Sequence, residues 1–287
     1  MAHPIVYGPP GSTYVWSARL ALAEKGVTHE LVEVPFGTHR QGPHLSRQPF
    51  AKVPAFEHDG FALYETQAIM RYVDERFAGT PLQPEDVHEW SRMNQIIGIV
   101  DAYAWPSIAG TILFNRILVP RLLGGTPDEA AIEAALPRAR LCLAEIDRLM
   151  EGHRFLASDH VSLADLMVIP LLYYFASVPD GRAPMAEHPK LQNWIRHMET
   201  RQSFQVTKPP PPFAVPERRR SRAMEGQGAA ESKQTMRLVF AVTATDGWRI
   251  EIKSNRPLNK SMVERLTLML QGGTAMSTAT PSPSTSL

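Results

Sequence analysis

The chain has 287 residues, of which 44% are hydrophobic and 21% charged, so it is long enough for a full hydrophobic core and for two domains. This composition excludes a chain that is disordered throughout. No stretch approaches the roughly 20 uninterrupted apolar residues of a membrane helix, and the first residues lack the charged start and apolar middle of a signal peptide. We therefore expect a cytoplasmic protein that does not associate with a membrane.

The cysteine count and the charge distribution exclude or disfavour further classes of site and fold. The single cysteine, Cys142, excludes an internal disulfide and a cysteine-built zinc site, and the ten histidines form no pair at helical metal-binding spacing, so we expect no metal. Up to residue 207 the chain has 18 Lys+Arg against 23 Asp+Glu, and beyond it 12 against 6. The acidic body argues against a nucleic-acid-binding fold, and the arginine run at residues 218–222 is typical of a solvated linker.

Residues 1–79 alternate short strands with amphipathic helices, which is typical of an α/β domain. The pattern predicts strands at 4–7 and 29–34, helices at 13–25 and 65–77, and a hairpin at 52–56 and 61–64. Gly26 is expected to end the first helix, and Asp59-Gly60 to turn the hairpin.

Residues 87–206 show only helical periods and predict an all-helical domain. The helices are expected at 87–122, 127–151, 163–176 and 189–200, with Pro127 in a first turn. Ser162 and Asp165 match a capping box at the start of a helix, and Val161 can pack against Leu166 as a hydrophobic staple. We therefore assign Ser162 and Asp165 a structural role.

The remaining chain is predicted as three segments. Residues 207–235, rich in proline and arginine, read as a disordered linker, and residues 273–287 as a disordered tail. Between them, residues 236–272 predict a hairpin turned at Asp246-Gly247 and one amphipathic helix at 258–271, a small ββα appendage of unknown role. Because a unit of this size rarely folds unaided, it is expected to dock on something or to dimerise.

A possible anion site lies where the first strand meets the first helix. Ser12 follows a Pro/Gly turn at a helix start, where free backbone N–H groups and the positive end of the helix dipole favour anions. Serine is also a preferred N-cap residue, so the local sequence leaves both interpretations open.

Five motifs from Ile5 to Phe77 closely resemble the glutathione transferase family, in particular its plant-type phi class and the bacterial relatives of that class. In chain order they are Tyr7-Gly-Pro-Pro-Gly-Ser12, Ala23-Glu-Lys-Gly26, Gly37-Thr-His-Arg40, Leu45-Ser-Arg-Gln-Pro-Phe-Ala-Lys-Val-Pro54 and Tyr64-Glu-Thr-Gln-Ala-Ile69. Phe155-Leu-Ala-Ser-Asp-His-Val-Ser-Leu-Ala-Asp165 and the closing His188-Pro-Lys-Leu-Gln-Asn-Trp194 are similar to the second half of the family. The resemblance covers residues 4–206 and leaves the tail unassigned.

The resemblance implies a thioredoxin-like N-terminal domain that binds glutathione as co-substrate and a helical domain that adds a pocket for the electrophile. Ser12 would be the catalytic residue, donating a hydrogen bond to the thiolate, with Tyr7 as the alternative because other classes use a tyrosine there. Glutathione would be held by His39, Arg40, Lys52, Val53, Pro54, Glu65 and Thr66, with Val53-Pro54 as a cis-proline corner. The electrophile pocket would include Tyr103, Trp105, Ile108 and Ile112.

The resemblance therefore implies a homodimeric, serine-type glutathione transferase for detoxification chemistry. It would conjugate the glutathione thiolate to small hydrophobic electrophiles, or reduce organic hydroperoxides with the same thiolate. A non-catalytic dimerising scaffold that presents the C-terminal appendage is the alternative, since fold alone does not fix function.

Overall fold

The computed structural model of the chain describes residues 3–40, 42–209, 238–243 and 249–254. The chain divides into two compact units, Met1–Gln234 and Thr235–Leu287. The first unit contains the predicted α/β region followed by the predicted helical region, and it carries every candidate site residue.

The N-terminal region is a four-stranded sheet with helices packed on it, as the thioredoxin-like prediction requires. Its strand order is β2-β1-β3-β4, with β1 parallel to β2 and the other pairs antiparallel. The strands are β1 (Ile5–Tyr7), β2 (Glu30–Val32), β3 (Ala55–His58) and β4 (Phe61–Tyr64). The helices are α1 (Thr13–Glu24), α2 (Gly42–Leu45) and α3 (Thr66–Arg76), with a short 3-10 turn at Thr38–Arg40.

Two predicted turns in this region are confirmed. Gly26 follows the end of α1 with a φ of 67°, and the β3–β4 turn places Asp59 at a φ of 50° and Gly60 at 79°. These backbone angles lie in the left-handed region that glycine enters without a steric penalty. Sequence analysis did not predict α2 or the 3-10 turn.

A buried ion pair fastens the C-terminal ends of α1 and α3 to the connection that leads into the helical region. Lys25 Nζ lies 2.9 Å from Asp74 Oδ1, and both side chains are almost fully buried. Asp74 also accepts hydrogen bonds from the backbone N–H groups of Leu82 and Gln83, at 2.9 and 3.2 Å. Because both partners of the pair are satisfied, the connection has a defined path.

The helical region confirms the predicted all-α architecture. Its helices are α4 (Val87–Ile99), continued without a break by a π-helical segment (Val100–Leu123), then α5 (Glu129–Leu149), α6 (Leu163–Ser177), α7 (Pro179–Ala186), α8 (Pro189–Glu199) and α9 (Gln202–Thr207). Two short helices, α7 and α9, were not predicted. The expectation for Pro127 was wrong by two positions, because Asp128 is the N-cap of α5 and accepts a hydrogen bond from Ala131 N.

The longest helix among the described residues is rich in apolar residues. By length and composition, Val87–Leu123 would suffice to cross a membrane. It packs against α5 and α6, and side chains such as Met93, Ile96 and Ile108 are fully buried in the core. Burial in the core of the helical region therefore accounts for part of the apolar character of this helix.

The two regions of the first unit share one hydrophobic core. Helix α1 packs against α3 of its own region and against α6 and α9 of the helical region. Trp16 on α1 is fully buried, and its indole N–H donates to Thr207 Oγ1 at 3.0 Å, which ties α1 to the end of α9. These contacts fix the position of α1, and its first turn is where the candidate site begins.

The predicted capping box at the start of α6 is present. The fully buried carboxylate of Asp165 accepts from Ser162 N and Ser162 Oγ, both at 2.8 Å, and from Leu156 N at 3.0 Å and Trp194 Nε1 at 2.7 Å. Val161 and Leu166 are both buried, as a staple requires. The assigned structural role of this pair rests on these contacts.

The second unit contains two antiparallel strands, β5 (Leu238–Thr243) and β6 (Arg249–Ser254), paired in register from Leu238↔Ser254 to Thr243↔Arg249. These strands agree with the predicted hairpin. The predicted turn, helix 258–271, most of the linker 207–235 and the tail 273–287 lie outside the described residues. The boundaries 1–79, 87–206, 207–235, 236–272 and 273–287 stay predictions.

Candidate active site

Ser12 is the N-cap of α1, directly after the turn that leaves β1. Its half-buried side-chain oxygen accepts a hydrogen bond from Val15 N at 3.5 Å, a long contact at the outer limit for such a bond. The hydroxyl proton has no acceptor among the described residues, and the first turn of α1 contains no acidic residue. Ser12 is therefore both the helix cap and a free donor beside the positive end of a helix dipole.

The turn that precedes Ser12 is packed tightly against two other parts of the site. At Gly8, which has a φ of 155°, an added Cβ would lie 2.4 Å from Val15 Cγ2 and 3.3 Å from Val53 Cβ. Only a residue without a side chain allows α1 and the Val53 loop to approach this closely. The fold thus brings the Ser12 corner and the Val53-Pro54 corner together, and the Val53–Pro54 peptide bond is cis, as the family resemblance implied.

Two buried polar side chains hold the backbone of the loop that leads into Val53. His44 Nε2 donates to Lys52 O at 2.7 Å, since a carbonyl oxygen only accepts, and Lys52 N donates to Gln48 Oε1 at 3.2 Å. His44 and Gln48 are 4% and 1% exposed, whereas the Lys52 side chain is exposed. The backbone of Lys52 is therefore fixed while its ammonium group remains in solvent.

A cluster of basic side chains surrounds this loop. Burial, and then the charges of Arg40, His44 and Lys52, lower the pKa of His39 from 6.5 to about 4. At neutral pH His39 is therefore uncharged, and its Nδ1 accepts from Gly37 N at 3.3 Å, so Nε2 carries the proton. Exposed Arg40 and Lys52, together with a donor from His39, form a suitable environment for a carboxylate.

Glu65 stands at the start of α3 in a strained conformation. Its φ of 68° lies in the region that residues with side chains rarely adopt, and its exposed carboxylate makes no capping hydrogen bond. Such strain costs about 1–3 kcal/mol and is concentrated at functional sites. Thr66 follows as the first residue of α3 and is 7% exposed, and the first N–H groups of this helix receive no hydrogen bond from the Glu65 side chain.

The carboxylate of Asp101, in the helical region, connects the first turns of α1 and α3. Tyr14 on α1 donates to Asp101 Oδ1 at 2.7 Å, and Gln67 on α3 donates to Asp101 Oδ2. Burial, and then the charge of Asp101, raise the pKa of Tyr14, so its hydroxyl stays protonated. Sequence analysis missed this bridge.

Trp105 completes the contact between the two regions at the candidate site. Its indole N–H donates to Thr13 Oγ1 at 3.1 Å, and its ring stacks on that of Tyr14 with centroids 5.4 Å apart. Since Thr13 follows Ser12 directly, Trp105 lies within one residue of the candidate catalytic serine. The predicted pocket residue Trp105 therefore belongs to the site region.

Two of the other three predicted pocket residues are buried in the hydrophobic core. Ile108 and Ile112 are both 0% exposed and form part of the core, so they do not line an open pocket in this structure. Tyr103 is 52% exposed and lies under the guanidinium of Arg138, with 5.7 Å between Arg138 Cζ and the ring centroid. Aromatic and apolar residues at helical spacing are more often core than ligand contacts, and here that holds for the two isoleucines.

The side chain of Tyr7, the alternative catalytic residue, contacts Glu57 and Arg47. Its hydroxyl donates to Glu57 Oε2 at 3.2 Å, and the guanidinium of Arg47 lies 4.4 Å above its ring. Tyr7 and Glu57 share one face of the sheet, since Ile5 pairs with Glu57, whereas Val6 faces the helices on the other. Burial, and then the hydrogen bond to Glu57, raise the pKa of Tyr7, so the hydroxyl stays protonated and its proton is directed to Glu57.

Neither a metal centre nor a reactive cysteine emerges from the described part of the chain. Within it, no group of three or more His, Cys, Asp or Glu side chains is placed to hold a metal ion. Burial raises the pKa of the Cys142 thiol to about 11, which makes it a poor nucleophile at neutral pH.

Known proteins match both regions of the chain. The family model of the glutathione S-transferase N-terminal domain matches residues 3–75, and that of the C-terminal domain matches residues 129–197. Glutathione S-transferase 3 of Zea mays is 30% identical over 221 residues, which cover 74% of this chain and 98% of the maize protein.

Solved structures agree with these matches. Glutathione transferase F7 of Populus trichocarpa superposes with a TM-score of 0.65 at 30% identity, covering 71% of this chain and 97% of the poplar chain. A glutathione S-transferase I bound with lactoylglutathione gives a TM-score of 0.64 at 26% identity and covers 72% and 98% of the two chains.

Proposed function

The chain belongs to the glutathione S-transferase family, and from this premise we propose that it conjugates the glutathione thiolate to small hydrophobic electrophiles, with Ser12 as the catalytic residue. In this reaction the thiolate sulfur forms a bond to an electrophilic carbon. In a substitution the bond from that carbon to the leaving group breaks and the group departs with its electron pair, and in an addition the electron pair of the substrate's double bond takes up a proton from solvent. Reduction of organic hydroperoxides by the same thiolate is a further proposed activity.

The observation that carries the proposal is the free hydroxyl proton of Ser12 at the start of α1. A thiol has a reference pKa of about 8.5, so at neutral pH only a few per cent is thiolate. Lowering that pKa by about two units requires roughly 2.7 kcal/mol of preferential stabilisation of the anion. One hydrogen bond to a charged sulfur contributes about 1.5–3 kcal/mol, and the helix dipole contributes about 0.3–1 kcal/mol, so the two together suffice.

The proposed glutathione contacts follow from the same geometry. Glu65 would bind the γ-glutamyl ammonium, and Thr66 with the first N–H groups of α3 would bind the neighbouring carboxylate. The backbone of Val53 would pair with the cysteinyl part, held in place by cis Pro54. The carboxylate at the glycine end would lie near His39, Arg40 and Lys52, where the basic cluster is formed.

We propose a homodimer for the assembled enzyme and the cytoplasm as its location. The family assignment motivates the dimer, and Phe50, Phe61 and Trp90, which are 65%, 50% and 45% exposed, are the side chains we propose for its interface. Light scattering of the intact chain at micromolar concentration tests the dimer, and fractionation of producing cells tests the location.

The catalytic assignment is tested by titrating bound glutathione in the Ser12→Ala variant. Ultraviolet difference absorbance of the thiolate, recorded against pH, gives the pKa of the bound thiol. We expect the wild type to titrate about two units below free glutathione and Ser12→Ala to return most of that shift, with a tenfold or larger loss of conjugation rate below the free thiol pKa.

Tyr7→Phe is the matched control, because it also removes one hydroxyl at this end of β1. It should leave the thiol pKa and the rate unchanged. A Ser12→Ala variant that titrates like the wild type, or a Tyr7→Phe variant that loses the shift, would contradict the assignment of Ser12. If the intact wild type bound no glutathione at millimolar concentration, the chain would instead act as a non-catalytic scaffold.

A further inference from the structure

The residue that follows the candidate catalytic serine is hydrogen-bonded to the helical region. Trp105 Nε1, on the segment that continues α4, donates to Thr13 Oγ1 at 3.1 Å across 92 residues of sequence. Thr13 is the first residue of α1, and Ser12 is the N-cap of the same helix. The bond from Trp105 therefore reaches the first turn of α1 directly beside the hydroxyl that we propose as the thiolate donor.

The orientation of the Trp105 ring is fixed by a neighbouring stack. Its ring lies on that of Tyr14, with centroids 5.4 Å apart and an angle of 16° between the planes. Tyr14 is held in turn, because its hydroxyl donates to Asp101 Oδ1 at 2.7 Å, and Gln67 on α3 donates to the other oxygen of that carboxylate. Both rings are half-buried. The indole is thus held in the orientation in which its N–H donates to Thr13.

The side chain of Ser12 is held only weakly by its own helix. Val15 N donates to Ser12 Oγ at 3.5 Å, whereas an N–H···O bond is usually about 2.9–3.0 Å long. The first turn of α1 also contains no acidic residue that could bind its N–H groups. The location of the Ser12 oxygen relative to a bound sulfur therefore depends on the position of the whole turn, to which the contacts of Thr13 and Tyr14 contribute.

The position of this turn matters because the interactions that stabilise an anion are directional and short-ranged. A hydrogen bond weakens steeply once the angle at its proton falls below about 120°, and active-site groups must stay within about 0.5 Å of their productive positions. The effect of a helix dipole also falls off within the first turn. A displaced α1 start would therefore weaken both contributions and raise the pKa of the bound thiol.

We propose that Trp105 is a positioning residue for the thiolate donor. Through its hydrogen bond to Thr13 it holds the first turn of α1 where the Ser12 hydroxyl and the helix start face the glutathione sulfur. The inference rests on the proposed role of Ser12. It gives Trp105 a role in ionising the thiol before the electrophile arrives, whereas the sequence prediction placed Trp105 in the electrophile pocket.

The test measures the pKa of glutathione bound to the intact chain, by ultraviolet difference absorbance of the thiolate against pH. Trp105→Phe keeps an aromatic ring beside Tyr14 but removes the indole N–H, and Thr13→Val removes the acceptor but keeps the branched shape. Each variant should raise the thiol pKa by about half a unit to one unit, which lowers the thiolate fraction about three- to tenfold well below that pKa. The affinity for S-methylglutathione, which has no thiol proton, should stay within about twofold of wild type.

The double variant Trp105→Phe/Thr13→Val tests whether the two side chains act through their shared bond. Because either substitution alone already breaks that bond, the double variant should raise the thiol pKa no further than one single variant does. Tyr72→Phe is the matched control. It removes a tyrosine hydroxyl of α3 that is hydrogen-bonded to His58 Nδ1 at 2.9 Å, outside the candidate site, and it should leave the thiol pKa unchanged.

Failure of this inference and failure of the proposed function give different results. If the wild type showed no lowered thiol pKa, or if Ser12→Ala kept it, the role of Ser12 would be wrong and this inference with it. If Ser12→Ala lost the shift while Trp105→Phe and Thr13→Val titrated like wild type, only the role of Trp105 would be wrong. Additive shifts in the double variant, an equal shift in Tyr72→Phe, or a loss in Trp105→Phe confined to the KM for the electrophile would also overturn it.

Discussion

The buried carboxylate of Asp165 offers the sharpest stability test, because all four of its hydrogen bonds are internal. Replacement by alanine leaves Leu156 N, Ser162 N and Trp194 Nε1 without an acceptor, and Asp165 is 0% exposed, so water does not readily replace it. Each buried donor left unpaired costs about 1–3 kcal/mol. We therefore expect Asp165→Ala to lower the free energy of unfolding by at least about 3 kcal/mol, a large fraction of the about 5–15 kcal/mol typical of a domain.

Two related substitutions should lower the free energy of unfolding by smaller amounts than Asp165→Ala. Ser162→Ala removes one hydroxyl donor and leaves the other three bonds of Asp165 intact, so it should cost about 1 kcal/mol. Asp165→Asn keeps the shape but presents an NH₂ group to one pair of donors, and it should cost nearly as much as alanine. Asp159→Ala is the control, because Asp159 is an exposed carboxylate of the same loop with one backbone bond, to Arg154 N.

The assay is urea unfolding followed by circular dichroism, with all variants at one protein concentration because assembly adds to apparent stability. A loss below about 1 kcal/mol for Asp165→Ala would refute the reasoning, since it would mean that water or a relaxed backbone satisfies the abandoned donors. Equal losses for Asp165→Ala and Asp159→Ala would refute it as well.

Three other predictions follow from single side chains. Tyr174 has a buried hydroxyl without a partner among the described residues, so Tyr174→Phe should leave stability unchanged or raise it by about 1 kcal/mol in urea unfolding, and a clear loss would reveal a hidden acceptor. Cys142, whose pKa burial raises to about 11, should react slowly with a disulfide reagent at neutral pH until the chain unfolds, and rapid labelling of the native protein would contradict this. The pKa of His39 falls from 6.5 to about 4 on folding, so between these pH values the unfolded chain binds a proton at His39 and the folded chain does not. The free energy of unfolding should therefore decrease as the pH falls from 6.5 to about 4, and His39→Gln should make this decrease smaller in urea midpoints. An unchanged pH dependence in His39→Gln would mean that other groups cause the decrease.

Elements whose limits depend on neighbouring residues were predictable from the sequence. Gly26 ends α1, Asp59-Gly60 turns the hairpin, and Ser162 begins α6, because a cap or turn needs one residue type at one backbone angle. The short helices α7 and α9 and the turn at Thr38–Arg40 were missed because six to eight residues, or fewer, give too little periodicity to register.

Contacts between distant parts of the chain were not predictable in the same way. Asp101 joins α1 to α3 across 87 and 34 residues of sequence, and Lys25 pairs with Asp74 across 49. No local pattern marks either carboxylate as a partner, since an exposed acid and a bridging acid have the same sequence signature. The burial of Ile108 and Ile112 was equally hidden, because helical spacing defines a face but not what that face packs against.

The choice between Ser12 and Tyr7 shows what three-dimensional information adds to a motif. The sequence places both hydroxyls within six positions of each other, and the spacing of the phi-type motif favours Ser12 without excluding Tyr7. The pairing of Ile5 with Glu57 favours the serine proposal, because it places Tyr7 and Glu57 on one face of the sheet and so gives the Tyr7 hydroxyl an acceptor. Ser12, placed at the helix start, has no acceptor for its proton among the described residues, and this difference in hydrogen-bond partners supports the proposal that the serine donates to a sulfur anion.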